Sequence, residues 1–297
     1  MRGASRTLRT VIGANQAQSP APFFLMVFVL AVPFWVIGLY VDVQPLPGLP
    51  IAAGMFVCPA LAALFLTYRE RGTSGMVALL TRVFDGAQIR LRWYPLILLL
   101  MPAVAVASFV FLRWTGAAVP VPRLAPLPAL GLFLAFLIGA VGEELGWTGY
   151  ALDRLQSRLG ALSSALVLGV IWAIWHWIAL VQAHRSSTWI AWWTLGVVAA
   201  RIIMVWTYNQ TGKKLFGILL LHAMSNVCWQ LFPIHGSLFD PRVNCLILSL
   251  IAVAAIVVRR QGGRPTVRPA RPEPAGAGRR ASPVRDRTEQ PGRAAGE

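Results

Sequence analysis

Long apolar runs, separated by short polar loops, dominate the pattern of this chain. Several runs extend for about 20 residues without a charge, which is the length an α-helix needs to cross a bilayer. The predicted spans are Ala21–Val41, Leu46–Tyr68, Trp93–Leu112, Leu127–Tyr150, Ala161–Gln182, Thr188–Tyr208, Leu215–Phe232 and Val243–Val258. The pattern therefore predicts an all-α fold, a polytopic transmembrane helical bundle of about eight spans.

The segments outside these runs complete the predicted domain organisation. Residues 1–20 form a cytoplasmic N-terminal segment, residues 21–258 the transmembrane domain, and residues 259–297 a disordered basic cytoplasmic tail. The tail is rich in Pro, Gly, Ala and Arg and has almost nothing to bury. The first run, Ala21–Val41, is too long for the apolar part of a signal peptide and lacks a small-residue cleavage site. We therefore interpret it as the first span.

The net charge of +16 raises the question of a nucleic-acid partner. Its basic residues lie in short loops and at the termini rather than on one folded face, so the lipid bilayer is the expected partner and nucleic acid is not. Outside the tail, twelve lysines and arginines fall on the side of the predicted N-terminus and four on the opposite side. Because cytoplasmic loops are enriched in Lys and Arg, both termini are predicted to be cytoplasmic in a multi-pass protein of the cell membrane.

Cys58, Cys228 and Cys245 lie inside apolar runs. An odd number of cysteines in such positions indicates neither a disulfide framework nor a zinc knuckle.

Two adjacent carboxylates, Glu143 and Glu144, end the apolar segment that begins near Leu127. Charges inside a predicted span are costly and indicate a functional site. Neighbouring residues on a helix point about 100° apart, so the two carboxylates need separate partners. The candidates farther along the chain are His176, Arg201, His222 and Asn226.

Two of these candidates, His222 and Asn226, are four residues apart and share one face of a predicted helix. An imidazole and an amide stacked in this way can donate two hydrogen bonds to one developing oxyanion. The alternative is a polar clamp between membrane helices. His176 stands among tryptophans, and its alternative interpretation is likewise a structural histidine.

Together these residues make the chain resemble the CPBP family of intramembrane peptidases, also called the ABI family, which includes the type II CAAX prenyl endopeptidases. The resemblance covers about Leu127 to Phe232. It rests on three motifs in order: the two adjacent glutamates, an aromatic-x-x-x-His matched by Trp172 and His176, and a His-x-x-x-Asn matched by His222 and Asn226.

The resemblance implies a mechanism for the predicted site. Glu143 and His176 would polarise a water that attacks a peptide carbonyl, and His222 and Asn226 would stabilise the tetrahedral oxyanion. The family is often described as metallopeptidases, and Glu143, His176 and His222 would be a plausible set of zinc ligands. No His-Glu-x-x-His helix is present, so we prefer water activation without a metal and commit to no cofactor.

The chain departs from the family pattern four residues after Glu144, where the usual arginine is replaced by Thr148. Our hypothesis is that Arg201, isolated in the sixth predicted span, supplies the missing guanidinium to Glu144. The alternative is an arginine whose charge reaches the interface. His176 is deeper than the other site residues when counted from Ala161, and joins them if its span tilts or starts nearer Ala165.

The predicted function is an intramembrane endopeptidase, with a cleft open to the cytoplasmic side, that cleaves a peptide or protein substrate near a hydrophobic or membrane-anchored segment. The alternatives are a non-catalytic membrane immunity or binding protein and a transporter that uses Glu143, Glu144 and Arg201 as an ion path.

Overall fold

The computed structural model describes residues 19–122, 125–231 and 240–262. In this part of the chain there are eight α-helices and no strand. They are α1 (Ala21–Tyr40), α2 (Cys58–Thr81), α3 (Tyr94–Trp114), α4 (Pro126–Gly146), α5 (Asp153–Gln182), α6 (Ser187–Gln210), α7 (Leu215–Leu231) and α8 (Pro241–Gly262). Short 3₁₀ helices at Ile51–Val57, Arg82–Gln88 and Leu91–Trp93 and a π-helix at Trp147–Leu152 connect them.

The helices confirm the predicted fold class. Six stretches of helix in the described residues are long and apolar enough to cross a membrane, and one of these stretches, Pro126–Gln182, contains both α4 and α5. Helix α7 is a shorter apolar helix of 17 residues. The chain is therefore a multi-pass membrane protein.

Several predicted boundaries differ from the structure, and the second helix, for example, ends at Thr81 and not at Tyr68. The second helix starts at Cys58 and not at Leu46. Leu46 and Leu49 instead close a tight turn through a bridge, and Pro47 and Pro50 lack the backbone N–H groups that a continuous helix would need. Helix α8 continues to Gly262, past the predicted end at Val258. Nearly all of the predicted N-terminal segment and the predicted tail beyond Gly262 lie outside the described residues.

Helix α5 bends at Gly160, which has a φ of 73°. Only glycine adopts this backbone conformation without strain, so the bend separates the first turns of α5 from the part that crosses the membrane. The chain is helical again from Ala161, the predicted start of this span, and the alternative of a start nearer Ala165 is not found.

Helix α4 packs on α2 and α7, while α6 packs on α5 and α8. Two glycines of α4 allow this helix to approach the start of α2 closely. A Cβ atom on Gly142 would lie 2.8 Å from the carbonyl oxygen of Phe56, and one on Gly146 would lie 2.5 Å from that of Pro59. Since both neighbours are backbone atoms, neither can move aside without shifting the helix.

Replacing Gly146 with alanine should therefore destabilise the fold. We expect a loss of about 1–3 kcal/mol, which is the usual cost of overpacking a close contact. Thermal unfolding in detergent measures the effect. Gly131→Ala is the matched control on the same helix, because its Cβ would have no atom within 4 Å. Equal unfolding temperatures for the two variants would contradict the close packing of α4 on α2.

Candidate active site

The end of α4 carries both predicted carboxylates, and the helix changes its winding directly after them. Residues Trp147–Leu152 form a π-helix of six residues. Such segments are rare and frequently occur at functional sites. Arg82 donates to the carbonyl oxygen of Gly149 at 2.6 Å, and Arg154 donates to that of Tyr150 at 2.9 Å. These two guanidinium groups each bind one carbonyl oxygen of the π-helix and connect it to the 3₁₀ helix Arg82–Gln88 and to α5.

Glu144 is fully buried and lies at the centre of a polar cluster. The guanidinium of Arg201 donates to both of its oxygens, with distances of 2.9 and 3.0 Å. Thr148 donates its hydroxyl at 2.5 Å, and His222 Nδ1 lies 2.9 Å from Oε1. A two-point contact between a guanidinium and a carboxylate is the strongest form of such a pair. Arg201 is also fully buried, so the two charges are compensated inside the bundle and not by solvent.

Glu143 points away from this cluster and has a different partner. The indole nitrogen of Trp172 donates to its Oε2 at 2.7 Å. The Glu143 side chain lines a cavity that Glu144 does not reach. The two adjacent carboxylates therefore have separate surroundings, one paired with a cation and the other facing open space.

Trp172 connects the site residues to one another. Its ring lies 4.2 Å beneath the guanidinium carbon of Arg201. It also meets the rings of His176 and His222 edge to face, with centroids 5.2 and 5.4 Å apart. From the sequence, Trp172 was only the aromatic member of a motif. Its spacing of four residues before His176 was the one signal that both side chains share a helix face.

His176 lies one turn beyond Trp172 on α5 and also lines the cavity. Its Nδ1 is 2.8 Å from the carbonyl oxygen of Trp172. Because a carbonyl can only accept, Nδ1 carries the proton, and Nε2 of the neutral ring is left as an acceptor. Trp172, one turn nearer the π-helix, is the residue of α5 that donates to Glu143.

His222 and Asn226 lie on the same face of α7, and both line the cavity with Glu143 and His176. The His222 Nδ1 donates to Glu144. Its Nε2 is therefore an acceptor in the neutral ring and a donor only in the imidazolium form. The structure thus brings together all six predicted site residues, four around the cavity and two in the ion pair behind it.

The cavity has a volume of about 360 Å³ and is mostly lined by apolar side chains. This is within the range of about 300–1,000 Å³ that is typical of ligand sites. The carboxylate of Glu143 shares this lining with His176, His222, Ser225 and Asn226, and further polar side chains, Ser108, Asp240 and Asn244, line other parts of the cavity. An apolar cleft with a few convergent polar groups at one place is the usual form of a binding or catalytic site.

The predicted zinc ligands can be tested against this arrangement. In the part of the chain that the structure describes, no three His, Cys, Asp or Glu side chains are grouped so that they could hold a metal ion. As placed, Glu143, His176 and His222 do not fit a zinc ion, so we derive no step through a metal.

Thr148 has a role that the sequence did not indicate. It cannot neutralise Glu144 as the arginine of the family pattern would, but its hydroxyl donates to that carboxylate. We expect Thr148→Val to cost about 1.5–3 kcal/mol, the usual worth of a hydrogen bond to a charged group. Thr148→Ser keeps the donor and should stay close to wild type in thermal unfolding. A valine variant as stable as the serine variant would show that this bond contributes nothing.

The fold is an all-α membrane bundle, and carboxylate and imidazole groups surround an apolar cleft inside it. The chain therefore belongs to the class of multi-pass membrane proteins that have a polar site inside the bundle. The comparisons with known proteins specify it further. The family described as "Type II CAAX prenyl endopeptidase Rce1-like" matches residues 125–228. These residues include all the motifs from α4 to α7.

A curated relative extends the similarity beyond this core. The "CAAX prenyl protease 2" of Methanococcus maripaludis is 25% identical over 265 residues, which are 80% of this chain and 93% of the relative. The two matches confirm that the chain resembles the type II CAAX prenyl endopeptidases. They support a membrane protease, a hydrolase of peptide bonds, as its activity.

Proposed function

We propose that this protein is an intramembrane endopeptidase in which Glu143 and His176 activate a water molecule and His222 and Asn226 stabilise the oxyanion. The observation that carries the proposal is the position of Glu143. The residue is 7% exposed, its carboxylate accepts from Trp172, and it shares the wall of an apolar cavity with His176, His222 and Asn226.

Glu143 acts as the general base. One of its oxygens accepts from Trp172, which fixes the carboxylate and leaves acceptor capacity for a water. His176 presents the acceptor Nε2 of its neutral ring and helps to orient the same water. The water gives a proton to Glu143 as its oxygen bonds to the peptide carbonyl carbon. Glu143 then returns this proton to the amide nitrogen, and the C–N bond breaks.

His222 and Asn226 act on the negative charge that develops on the carbonyl oxygen. Asn226 donates from its amide, and His222 donates from Nε2 when its ring is doubly protonated. Fixed donors of this kind stabilise a tetrahedral intermediate because they need no rearrangement during the reaction. Glu144, held by Arg201, orients His222 through Nδ1. Glu144 and Arg201 are therefore positioning residues, and no contact with substrate is assigned to them.

The substrate is a peptide or protein that brings a hydrophobic or membrane-anchored segment to the cleft. Support comes from the cavity lining, where Met55, Phe56, Met101, Val104 and Trp193 surround the route to Glu143. The relative's name describes a prenyl protease. A prenyl group and an apolar peptide end are both apolar. Either one would bind in an apolar cleft because binding removes its apolar surface from water.

The test is cleavage of quenched fluorescent peptides with hydrophobic or lipid-anchored ends by the purified protein in lipid. We expect cleavage at one bond close to the apolar end, and slower cleavage when that end is replaced by polar residues. A parallel sample with a chelator examines the metal. An unchanged rate supports water activation by Glu143 and His176 without a metal, and loss of the rate that zinc restores would replace this mechanism by a metal-dependent one.

A further inference from the structure

The 3₁₀ helix Arg82–Gln88 binds three of the elements that carry or adjoin the predicted site residues, although it contributes no residue to the cavity. Two of its side chains make these bonds, Arg82 and Asp85. Neither is among the described residues that line the cavity, so neither touches a substrate bound there. Any effect they have on a reaction at Glu143 passes through the elements that they hold.

Asp85 holds the first turn of α7. Its two carboxylate oxygens accept from the backbone N–H groups of Leu215 and Phe216, at 3.0 and 2.9 Å. The first N–H groups of a helix have no partner within the helix, and a carboxylate also interacts favourably with the positive end of the helix dipole. Because two oxygens of one side chain bind two successive N–H groups, α7 cannot rotate about its axis without breaking a bond.

This rotation sets where His222 and Asn226 point. His222 follows Leu215 by seven residues, which is nearly two full turns, so both residues lie on the same face of α7. An outer side-chain atom lies about 6 Å from the helix axis, so a rotation of about 10° moves it by roughly 1 Å. A misplacement of about 1 Å can cost about 100-fold in rate. Asp85 therefore acts on the His222 ring from about 10 Å along the helix.

The 3₁₀ helix is itself held in place. A Cβ atom on Gly86 would lie 2.8 Å from Cε1 of Phe216, so this segment packs directly against the first turn of α7. The hydroxyl of Tyr94 donates to the carbonyl oxygen of Gly86 at 3.1 Å and ties the same segment to α3. The element that binds α7 therefore has a fixed position relative to the bundle.

Arg82 holds two further elements, the π-helix that follows Glu144 and the end of α6. One guanidinium nitrogen donates to the carbonyl oxygen of Gly149 at 2.6 Å, and the other donates to Tyr208 at 2.5 Å. Tyr208 is fully buried and follows Arg201 by seven residues, so it lies on the same face of α6. Since Arg201 binds both oxygens of Glu144, each partner of Arg82 is connected to this ion pair.

We propose that Arg82 and Asp85 are positioning residues that hold the π-helix, α6 and α7 so that Glu143 meets the water and His222 meets the oxyanion. This inference rests on the proposed peptidase function and deepens it, because it assigns the geometry of the site to two side chains outside the cavity. Neither residue belongs to the three motifs on which the resemblance to the family is based.

Asp85→Ala and Asp85→Asn form the first test, with peptide cleavage by the purified protein in lipid. Alanine leaves both N–H groups of α7 without this partner and should lower kcat about 10–100-fold, because His222 is displaced. KM should change by less than about threefold, since the lost interaction acts mainly in the transition state. Asparagine binds the first N–H groups of a helix about as well as aspartate, so it should restore kcat to within about threefold of wild type.

A purely structural role of Asp85 has a different result. Asp85→Ala would then give less folded protein, with kcat and KM per folded molecule unchanged. This outcome overturns the inference, and so does an asparagine variant that is as slow as the alanine variant.

Arg82→Met and Arg82→Lys form the second test. Methionine removes both bonds and should lower kcat at least about tenfold, and lysine keeps one charged donor and should recover part of this loss. Arg90→Met is the matched control, because Arg90 is an exposed arginine two residues beyond the 3₁₀ helix, and it should keep the wild-type kcat and KM. A kcat of Arg82→Met equal to that of Arg90→Met overturns the inference for Arg82.

Amide hydrogen exchange on the same samples needs no substrate. We expect faster exchange in the first turn of α7 in Asp85→Ala and in the π-helix in Arg82→Met, because each segment loses a bond that keeps it closed. Exchange equal to that of Arg90→Met in both segments overturns the inference. If even the wild type cleaves no peptide, the proposed function fails, and the exchange rates still decide whether these two residues hold the segments.

Discussion

Glu143→Gln is expected to lower peptide turnover by about 10²–10⁴-fold, the range that a general base contributes. The amide has nearly the same shape as the carboxylate, and its oxygen can still accept from the Trp172 indole, so the wall of the cavity keeps its form. What is lost is the ability to take a proton from water. The turnover number should therefore fall while KM and the unfolding temperature change little.

Single-turnover cleavage in lipid measures this effect, with thermal unfolding on the same samples. Asp42→Asn is the matched control, because it makes the same chemical change on an exposed carboxylate whose contact is with His184. It should leave turnover unchanged. A Glu143→Gln variant that cleaves at the wild-type rate would remove Glu143 from the role of base and would favour a site that binds peptides without hydrolysing them.

The order and approximate limits of the eight helices could be predicted from the sequence because each is a long apolar run between polar loops. The start of α2 could not, since Leu46, Leu49 and Ile51 are as apolar as the helix that follows. Only Pro45, Pro47, Gly48 and Pro50 indicate a loop there. The bend at Gly160 is a similar case, because a glycine inside a helical pattern is compatible with a continuous helix as well.

The candidate site shows where sequence patterns stop being informative. The spacing of His222 and Asn226 places them on one helix face, and isolated charges such as Glu144 and Arg201 inside spans require partners. But no spacing rule relates Trp172 to Glu143, because they lie on different helices and their contact depends on how α4 and α5 are rotated.

Arg201→Met should have the largest effect on stability. It leaves the Glu144 carboxylate fully buried with only Thr148 and His222 as donors. Removing one partner of a buried ion pair typically costs about 3–5 kcal/mol, because the remaining charge is uncompensated. Since folded proteins are stable by only about 5–15 kcal/mol, we expect a marked loss of folded protein in the membrane and a much lower unfolding temperature.

The double variant Glu144→Gln with Arg201→Met separates the charge from the shape of the site. Replacing a buried ion pair by neutral groups is often nearly neutral in stability, so the double variant should recover most of the folded yield that the single variant loses. Arg242→Met, which changes an exposed arginine 3.8 Å from Asp240, is the control and should unfold like the wild type. A single variant as stable as Arg242→Met would mean that Arg201 does not compensate Glu144. A double variant as unstable as the single one would mean that Arg201 stabilises the bundle by packing over Trp172 rather than by its charge.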